Sequence, residues 1–353
     1  MKVAIIGASF AQAAYLPALR HTPGAEVVAI ASGRLASAQA AADRFGVPHA
    51  YDDWEAMLDA HAVDLVCIAT PTVLHAPQAL RAIERGAHVL CEKPTAMSAG
   101  EAQAMLDAAT AAGRLHAIDH ELRFNPNRAR VASLIAEGAL GEVRHVNVSN
   151  VGNAWADPAS RPKGDWWSLA EQGGGRLGAN GSHQVDMLRW WLGEVAWVTG
   201  AAPTMVPDRL DRATGEPWTA TADDVAWMGL EMEGGALAQV FLSGVAAHAM
   251  GNLTQVFGSK GTVTLDNADE RLWWAKAGQG FEEITEADPN AALDGINPGI
   301  WNVSVVALMR EVQAAIVEGR PLARGATFAD GLANQKVLDA VRLSGTERRW
   351  VRP

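Results

Sequence analysis

Glu92 and Lys93 stand side by side at the end of an apolar run, with Pro94 after them. An amine can take a proton from a hydroxyl or give one to a developing alkoxide, and a neighbouring carboxylate can hold a ligand hydroxyl. Thr70 and Pro71 end an earlier apolar run. The elements that must position these residues read as strand, helix, strand. Asp64 to Ala69 is nearly continuous in apolar residues, as in a strand buried on both faces. Thr72 is placed to cap a helix over Leu74 to Arg85, which Gly86 closes. Ala87 to Cys91 is the next strand. A crossover of this length makes the two strands parallel neighbours. In an open parallel sheet, ligands gather at the carboxyl ends of the strands. Thr70, Pro71, Glu92 and Lys93 are therefore expected on one edge.

Lys2 to Ile6 reads as the first strand, and Gly7 to Ala13 occupies the place of a GxGxxG dinucleotide turn. Only the first glycine is there; Ser9 and Gln12 stand at the other two positions. Ser9 is small enough to let the backbone approach a pyrophosphate, while Gln12 implies looser helix–strand packing or a side chain turned to the ligand. Gly7, Ser9, Phe10 and Ala11 are the expected cofactor contacts of this turn. The second strand, Glu26 to Ala31, ends in Ser32-Gly33-Arg34. Dinucleotide sites for NAD usually carry Asp or Glu there. Ser32 and Arg34 suit a 2′-phosphate instead, so NADP is favoured, with NAD as the alternative. The plain reading of Arg34 is a solvated arginine at a helix start.

The 353 residues exceed one ordinary core, so two domains are expected. Alternating strands and helices over 1–120, with capping boxes at Asp52 to Glu55 and Ser98 to Glu101, predict a doubly wound α/β domain. From 121 to 353 the pattern shifts to strands separated by turn residues, interrupted by one helix over Ser182 to Leu192. Two long helices, Gly299 to Glu318 and Thr327 to Leu343, follow and should pack back on the body. The second domain is thus α+β on an open, mostly antiparallel sheet. No segment approaches membrane-spanning length and no cleavable leader is expected before the first strand. The net charge of -11 disfavours nucleic acid and anionic membranes as partners. The two cysteines, Cys67 and Cys91, fall inside the parallel strands and read as small buried hydrophobes, consistent with a reducing cytoplasm. Scattered histidines, read as having no HxxxH or CxxC spacing, argue against a metal. Thirteen tryptophans against two tyrosines suggest core or interface roles, with pairs such as Trp166-Trp167 able to line a pocket.

The segments ATPTVLHAPQALRAIERGAHVLCEKPTA at 69–96, DHELRFNP at 119–126 and GGGRLGANGSHQVDMLRWWLG at 173–193 resemble the Gfo/Idh/MocA oxidoreductases, the glucose–fructose oxidoreductase and inositol dehydrogenase group. The resemblance spans nearly the whole chain. It implies an N-terminal Rossmann domain and a C-terminal α/β domain whose open sheet often forms a dimer or tetramer face. It also implies hydride transfer between NAD(P) and a secondary alcohol or ketone of a sugar, sugar acid or cyclitol. Lys93 would be the main acid–base group with His183 assisting. Thr70, Pro71, His75, Glu92, Lys93, Glu121 and Trp166 would join the cofactor site, and Arg123, Trp167, His183 and Asp186 the substrate side. The family places an Asp four residues before the His, where this chain has Ala179. His183 then acts as acid–base or simply bonds a substrate hydroxyl, and Asp186 substitutes for the lost carboxylate or is structural. The departures at Ser9, Gln12 and Ala179 motivate two rivals: a cofactor- and sugar-binding regulator with little catalysis, and a reductase of imines or enones.

Overall fold

The computed structural model describes residues 1–266 and 270–353. Residues 1–125 and 287–332 cluster into one unit, and 126–286 with 333–353 into another. The segment 287–332 therefore falls outside a simple split at residue 120.

The first unit carries β1 (Lys2–Ile6), α1 (Ser9–Ala13), α2 (Tyr15–Arg20), β2 (Glu26–Ala31), α3 (Leu35–Phe45), β3 (His49–Tyr51) and α4 (Trp54–Ala60). β4 (Leu65–Ile68), α5 (His75–Glu84), β5 (His88–Cys91), α6 (Ala99–Ala111) and β6 (His116–Ile118) follow. The six strands form one parallel sheet in the order β3-β2-β1-β4-β5-β6. Successive residues on these strands feed opposite cores, as the two-residue period of a strand requires. Val3, Ile5, Leu65, Cys67 and Leu90 enter one cluster; Ala4, Ile6, Val66, Ile68, Val89 and Cys91 enter the other. This is the reason the strands read as continuous apolar runs rather than alternating ones. Ser98 caps α6 by accepting the Glu101 N–H at 3.2 Å, and Asp53 caps α4. Thr72 lies within a 3₁₀ turn instead of at a cap; the N-cap positions fall on Pro71 and Leu74. The first helix is split at Ala14 into α1 and α2.

The second unit carries α7 (Pro126–Ala136), β7 (Val143–Val151), α8 (Ser182–Leu192), β8 (Val195–Ala201), β9 (Asp208–Leu210), β10 (Pro217–Thr219) and β11 (Val225–Met232). It continues with β12 (Leu237–Ser243), β13 (Gly251–Gly258), β14 (Gly261–Asp266), β15 (Arg271–Lys276) and β16 (Glu282–Glu283). Eight strands pair in the order β16-β15-β14-β13-β7-β12-β11-β8, antiparallel except for β7 against β12. Burial alternates along β11 and β12, the pattern of a sheet with one covered face. Val148, Met228, Leu230, Val240 and Val256 pack with Val185 and Leu188 of α8. The other face leaves Trp227, Leu237, Phe241 and Leu253 exposed.

The last helices are α9 (Ile300–Glu318) and α10 (Phe328–Glu347). By length and composition α9 could cross a membrane, with 19 residues and a mean hydropathy of 1.4, against the expectation that no segment approaches that length. Its Val305, Val306, Leu308, Met309 and Val312 instead join Val3 and Ile5 in a core of the first unit.

Candidate active site

In the first unit the carboxyl ends of the strands are drawn tightly together. Gly7 has φ +102°, and a Cβ there would lie 2.2 Å from the Ala69 carbonyl oxygen. Only glycine permits this approach of the β1 and β4 exits. Beyond it Ser9 is exposed, Phe10 packs edge-on against Tyr15 at 5.4 Å, and Ala11 turns its methyl into the core. At the exit of β2, Ser32 is half-buried and Arg34 exposed. Thr70 donates through Oγ1 to Gln78 at 2.7 Å. His75 is 1% exposed and ties two exits together, with Nδ1 2.9 Å from Pro94 O and Nε2 3.0 Å from Thr70 O. Burial holds its pKa down, against the pull of those two carbonyls. Expected at the cofactor, His75 thus lies between two protein carbonyls, one of which its neutral form can bond through its single N–H.

Glu92 continues the β4–β5 ladder through its N–H to Ile68 O at 2.9 Å. Its carboxylate accepts the Tyr15 hydroxyl at 3.0 Å and lies 3.5 Å from the Lys93 amine. The Lys93 side chain is 13% exposed, and the Lys93-Pro94 peptide is cis. Asp119, one residue past β6, and Glu121, on the following 3₁₀ turn, complete the group at 0% and 2% exposure. Burial, then the Lys93 charge opposing and Glu92 reinforcing, leaves the Glu121 carboxyl pushed up to about 8. Burial with Glu92 and Glu121 beside it drives Asp119 well above the carboxylate range. Neither Asp119 nor Tyr15 was expected here, although Asp119 ends its strand as Glu92 does, and the same strand-end rule reaches it. Arg123 pairs with Asp330 at 3.0 Å inside this unit, a structural engagement of a residue expected on the substrate side.

In the second unit Trp166 and Trp167 stack with centroids 4.1 Å apart. The glycine run closes on them: a Cβ on Gly174 would sit 2.4 Å from the Trp166 and Trp167 carbonyl oxygens, and one on Gly175 2.3 Å from Asp223 Oδ1. The close backbone approach of these glycines is thus to residues of their own unit. Leu177–Gly181 forms a π-helical turn running straight into α8, a feature frequent at functional sites. Ala179 lies on this turn, half-buried. Asp223 anchors it by accepting the Leu177 N–H at 2.7 Å, and burial pushes its carboxyl up to about 6 against that bond. His183 and Asp186 are each 2% exposed on α8, and Arg189 forks onto Glu194 at 2.6 and 2.8 Å. Asp223 escaped the sequence reading because nothing local marks an Asp before a strand as the anchor of a distant turn.

The chain's one HxxxH spacing, His116 to His120, is a correction to the reading of histidines as merely scattered. It falls on β6 and its exit, not on a helix, and His116 Nδ1 already accepts the Phe328 N–H at 3.0 Å. A cavity of about 400 Å³ lined by His88, Arg114, His116 and Leu322 opens at the amino ends of β5 and β6. That is the edge opposite Lys93, whereas parallel sheets bind ligands at their carboxyl ends.

Residues 1–120 match the profile of the oxidoreductase family with the NAD-binding Rossmann fold, and 129–264 that of the GFO/IDH/MocA C-terminal domain. Levoglucosan dehydrogenase of Pseudarthrobacter phenanthrenivorans is 28% identical over 93% of this chain and 89% of its own. A solved levoglucosan dehydrogenase in complex with NADH and L-sorbose superposes with a TM-score of 0.90 at 26% identity, covering 100% of this chain and 98% of the other. D-xylose 1-dehydrogenase (NADP(+)) 2 of Haloferax volcanii is 35% identical over 61% of each chain. Two family profiles in series, over a parallel six-stranded sheet and a mostly antiparallel eight-stranded one, make this chain a member of the GFO/IDH/MocA oxidoreductase family.

Proposed function

We propose that the protein is an NAD(P)-dependent dehydrogenase acting on a secondary alcohol or ketone of a sugar, sugar acid or cyclitol, with Lys93 as the acid–base group. The observation that carries the reading is the Lys93 amine at the exit of β5, 3.5 Å from Glu92 and largely shielded from water. Kinship with dehydrogenases of levoglucosan and D-xylose supports the substrate class. A bound nicotinamide would supply the hydride acceptor or donor. Lys93 takes the hydroxyl proton in oxidation and returns it in reduction. Glu92, held by Tyr15, fixes the amine's place. Gly7, Ser9 and Phe10 provide the backbone turn at the β1 exit, with Thr70 and Pro71 beside it at the β4 exit. Trp166, Trp167, Arg123, Asp186 and Glu121 remain candidates for cofactor or substrate contacts. His183, without a carboxylate at Ala179, serves as a hydrogen-bonding partner to a substrate hydroxyl. Lys93→Ala should lower turnover of levoglucosan, D-xylose or a methyl D-glucoside roughly 10²–10⁴-fold; a rate near wild type removes Lys93 from the mechanism.

NADP is the preferred cofactor on this reading, because Arg34 is exposed at the β2 exit where no acid stands. Arg34→Ala should raise the KM for NADP+ about tenfold and leave that for NAD+ unchanged. Equal effects on both would assign Arg34 to solvent. The exposed face bearing Trp227, Leu237, Phe241 and Leu253 fits a homodimer or homotetramer contact. Cys67 and Cys91, buried and free, suit a cytoplasmic, reducing setting.

A further inference from the structure

We propose that Glu92, Asp119 and Glu121 form a proton reserve for the Lys93 amine, in which Asp119 keeps one hydrogen and Glu121 trades a second with Lys93. The proposal rests on Lys93 being the acid–base group of the reaction. Three carboxyls share one interior at 6%, 0% and 2% exposure. Lys93, the cation that acts on Glu121, is itself 3.5 Å from Glu92. Tyr15 has a single proton to give and gives it to Glu92 at 3.0 Å. Among the described residues, neither Asp119 oxygen meets a donor in hydrogen-bonding geometry, though Tyr15 and Glu92 lie close enough to act on its charge. An ionised carboxylate there would be an unsolvated charge between two others, a state that neutralisation relieves. Asp119 therefore carries a hydrogen, and Glu121, opposed by Lys93, is the member able to exchange one.

Other titratable groups pack around this cluster. Burial keeps the Cys67 and Cys91 thiols protonated, with Asp119 acting on both and Glu92 on Cys91. Burial likewise favours a neutral His75. His120 is buried beside Asp119. Arg123 is paired with Asp330. On α9, packed against the turn that bears Glu121, Arg310 is bonded to His21 O and Asn290, and Glu311 and Glu318 to Arg320. In the exchange, the substrate O–H bond breaks as an N–H bond forms on the Lys93 lone pair, the oxidant being the nicotinamide. Where Glu121 is ionised, the ammonium then gives a proton to its carboxylate, forming O–H and restoring the lone pair; Glu121 passes that proton to water before the next turnover, and Lys93 is again a base. Glu121 and Asp119 are positioning residues in this scheme, acting through Lys93.

The test has one arm that needs no turnover. The enzyme labelled with ¹³C at Asp and Glu carboxyls is titrated by NMR. One resonance should titrate near pH 8 and vanish in Glu121→Gln. Another should stay protonated throughout and vanish in Asp119→Asn. Both titrating in the ordinary carboxylate range overturns the proposal. Tyr15→Phe removes one oxygen and should move the Glu121 resonance downward, because Glu92 then competes for the proton; no movement overturns the coupling. In the second arm, Glu121→Gln should shift the limb of the kcat–pH profile by roughly a pH unit, and Glu121→Asp should restore it. Superimposable wild-type and Glu121→Gln profiles overturn the reserve and leave Lys93 in place. Turnover near the wild-type rate in Lys93→Ala removes Lys93 from the mechanism and leaves the titration result intact.

Discussion

In the second unit Arg209 and Asp224 are each 1% exposed and face one another at 3.4 Å, whereas in the first unit Glu92, Asp119 and Glu121 crowd one another, with Lys93 acting on Glu92 and Glu121. The first arrangement is balanced. Arg209 also donates to Trp155 O at 2.7 Å, and Asp224 accepts the Met205 and Val206 N–H groups at 2.7 and 2.9 Å. Arg128, 1% exposed, meets Glu270 at 3.3 Å in the same unit. The second arrangement has more acids than cations. Balanced burial holds a loop in place; unbalanced burial stores protons and moves pKa values into the working range, which is where chemistry is found.

The comparison can be broken at three points. The largest effect should come from Asp224→Ala, which leaves Arg209 buried without its carboxylate and orphans two backbone N–H groups. Roughly 3–5 kcal/mol of stability should be lost, read from urea unfolding. A loss below about 1 kcal/mol would mean that water reaches the pair and that the units do not differ in this way. Next is the pH dependence of stability. Unfolded, Glu121 has an ordinary carboxyl; folded, it sits at about 8. Between those values the native state holds a proton that the unfolded chain has released, so stability must fall as pH rises toward 8, by up to ~1.4 kcal/mol per pH unit. Asp119, also raised, adds a slope of the same sign, so Glu121→Gln should make the fall of the urea midpoint from mildly acid to neutral pH shallower without abolishing it. The smallest effect serves as a scale. Ser98→Ala removes an uncharged cap from α6 and should cost about 1 kcal/mol at every pH in that range; a pH-dependent cost would show that the slope is not specific to the carboxyl group.

Much of the architecture was legible because it is written in local periodicity. The bounds of β1, β2 and α8 fall where the apolar spacing put them, since strands buried on both faces and helices buried on one leave different imprints. The breaks were less legible. The division of the first helix at Ala14 and the π turn before α8 add little to the apolar pattern. The short pair β9–β10 is held by turns rather than by a core stripe. α9 shows the converse, an apolar helix whose composition says only that it is buried, not in what.

From residue order alone came the two-part fold, the parallel edge that carries Thr70, Glu92 and Lys93, and the departure at Ala179. All of these depend on neighbours within a few turns of the chain. Tertiary structure alone decided that Tyr15 reaches Glu92 across 77 residues, that Asp119, Glu121 and Glu92 act on one another's charge, and that Asp223 anchors the turn before His183. The physical reason is that a pKa and a hydrogen bond belong to a place. The packing of strands and helices distant in sequence makes that place, and no window of sequence contains it.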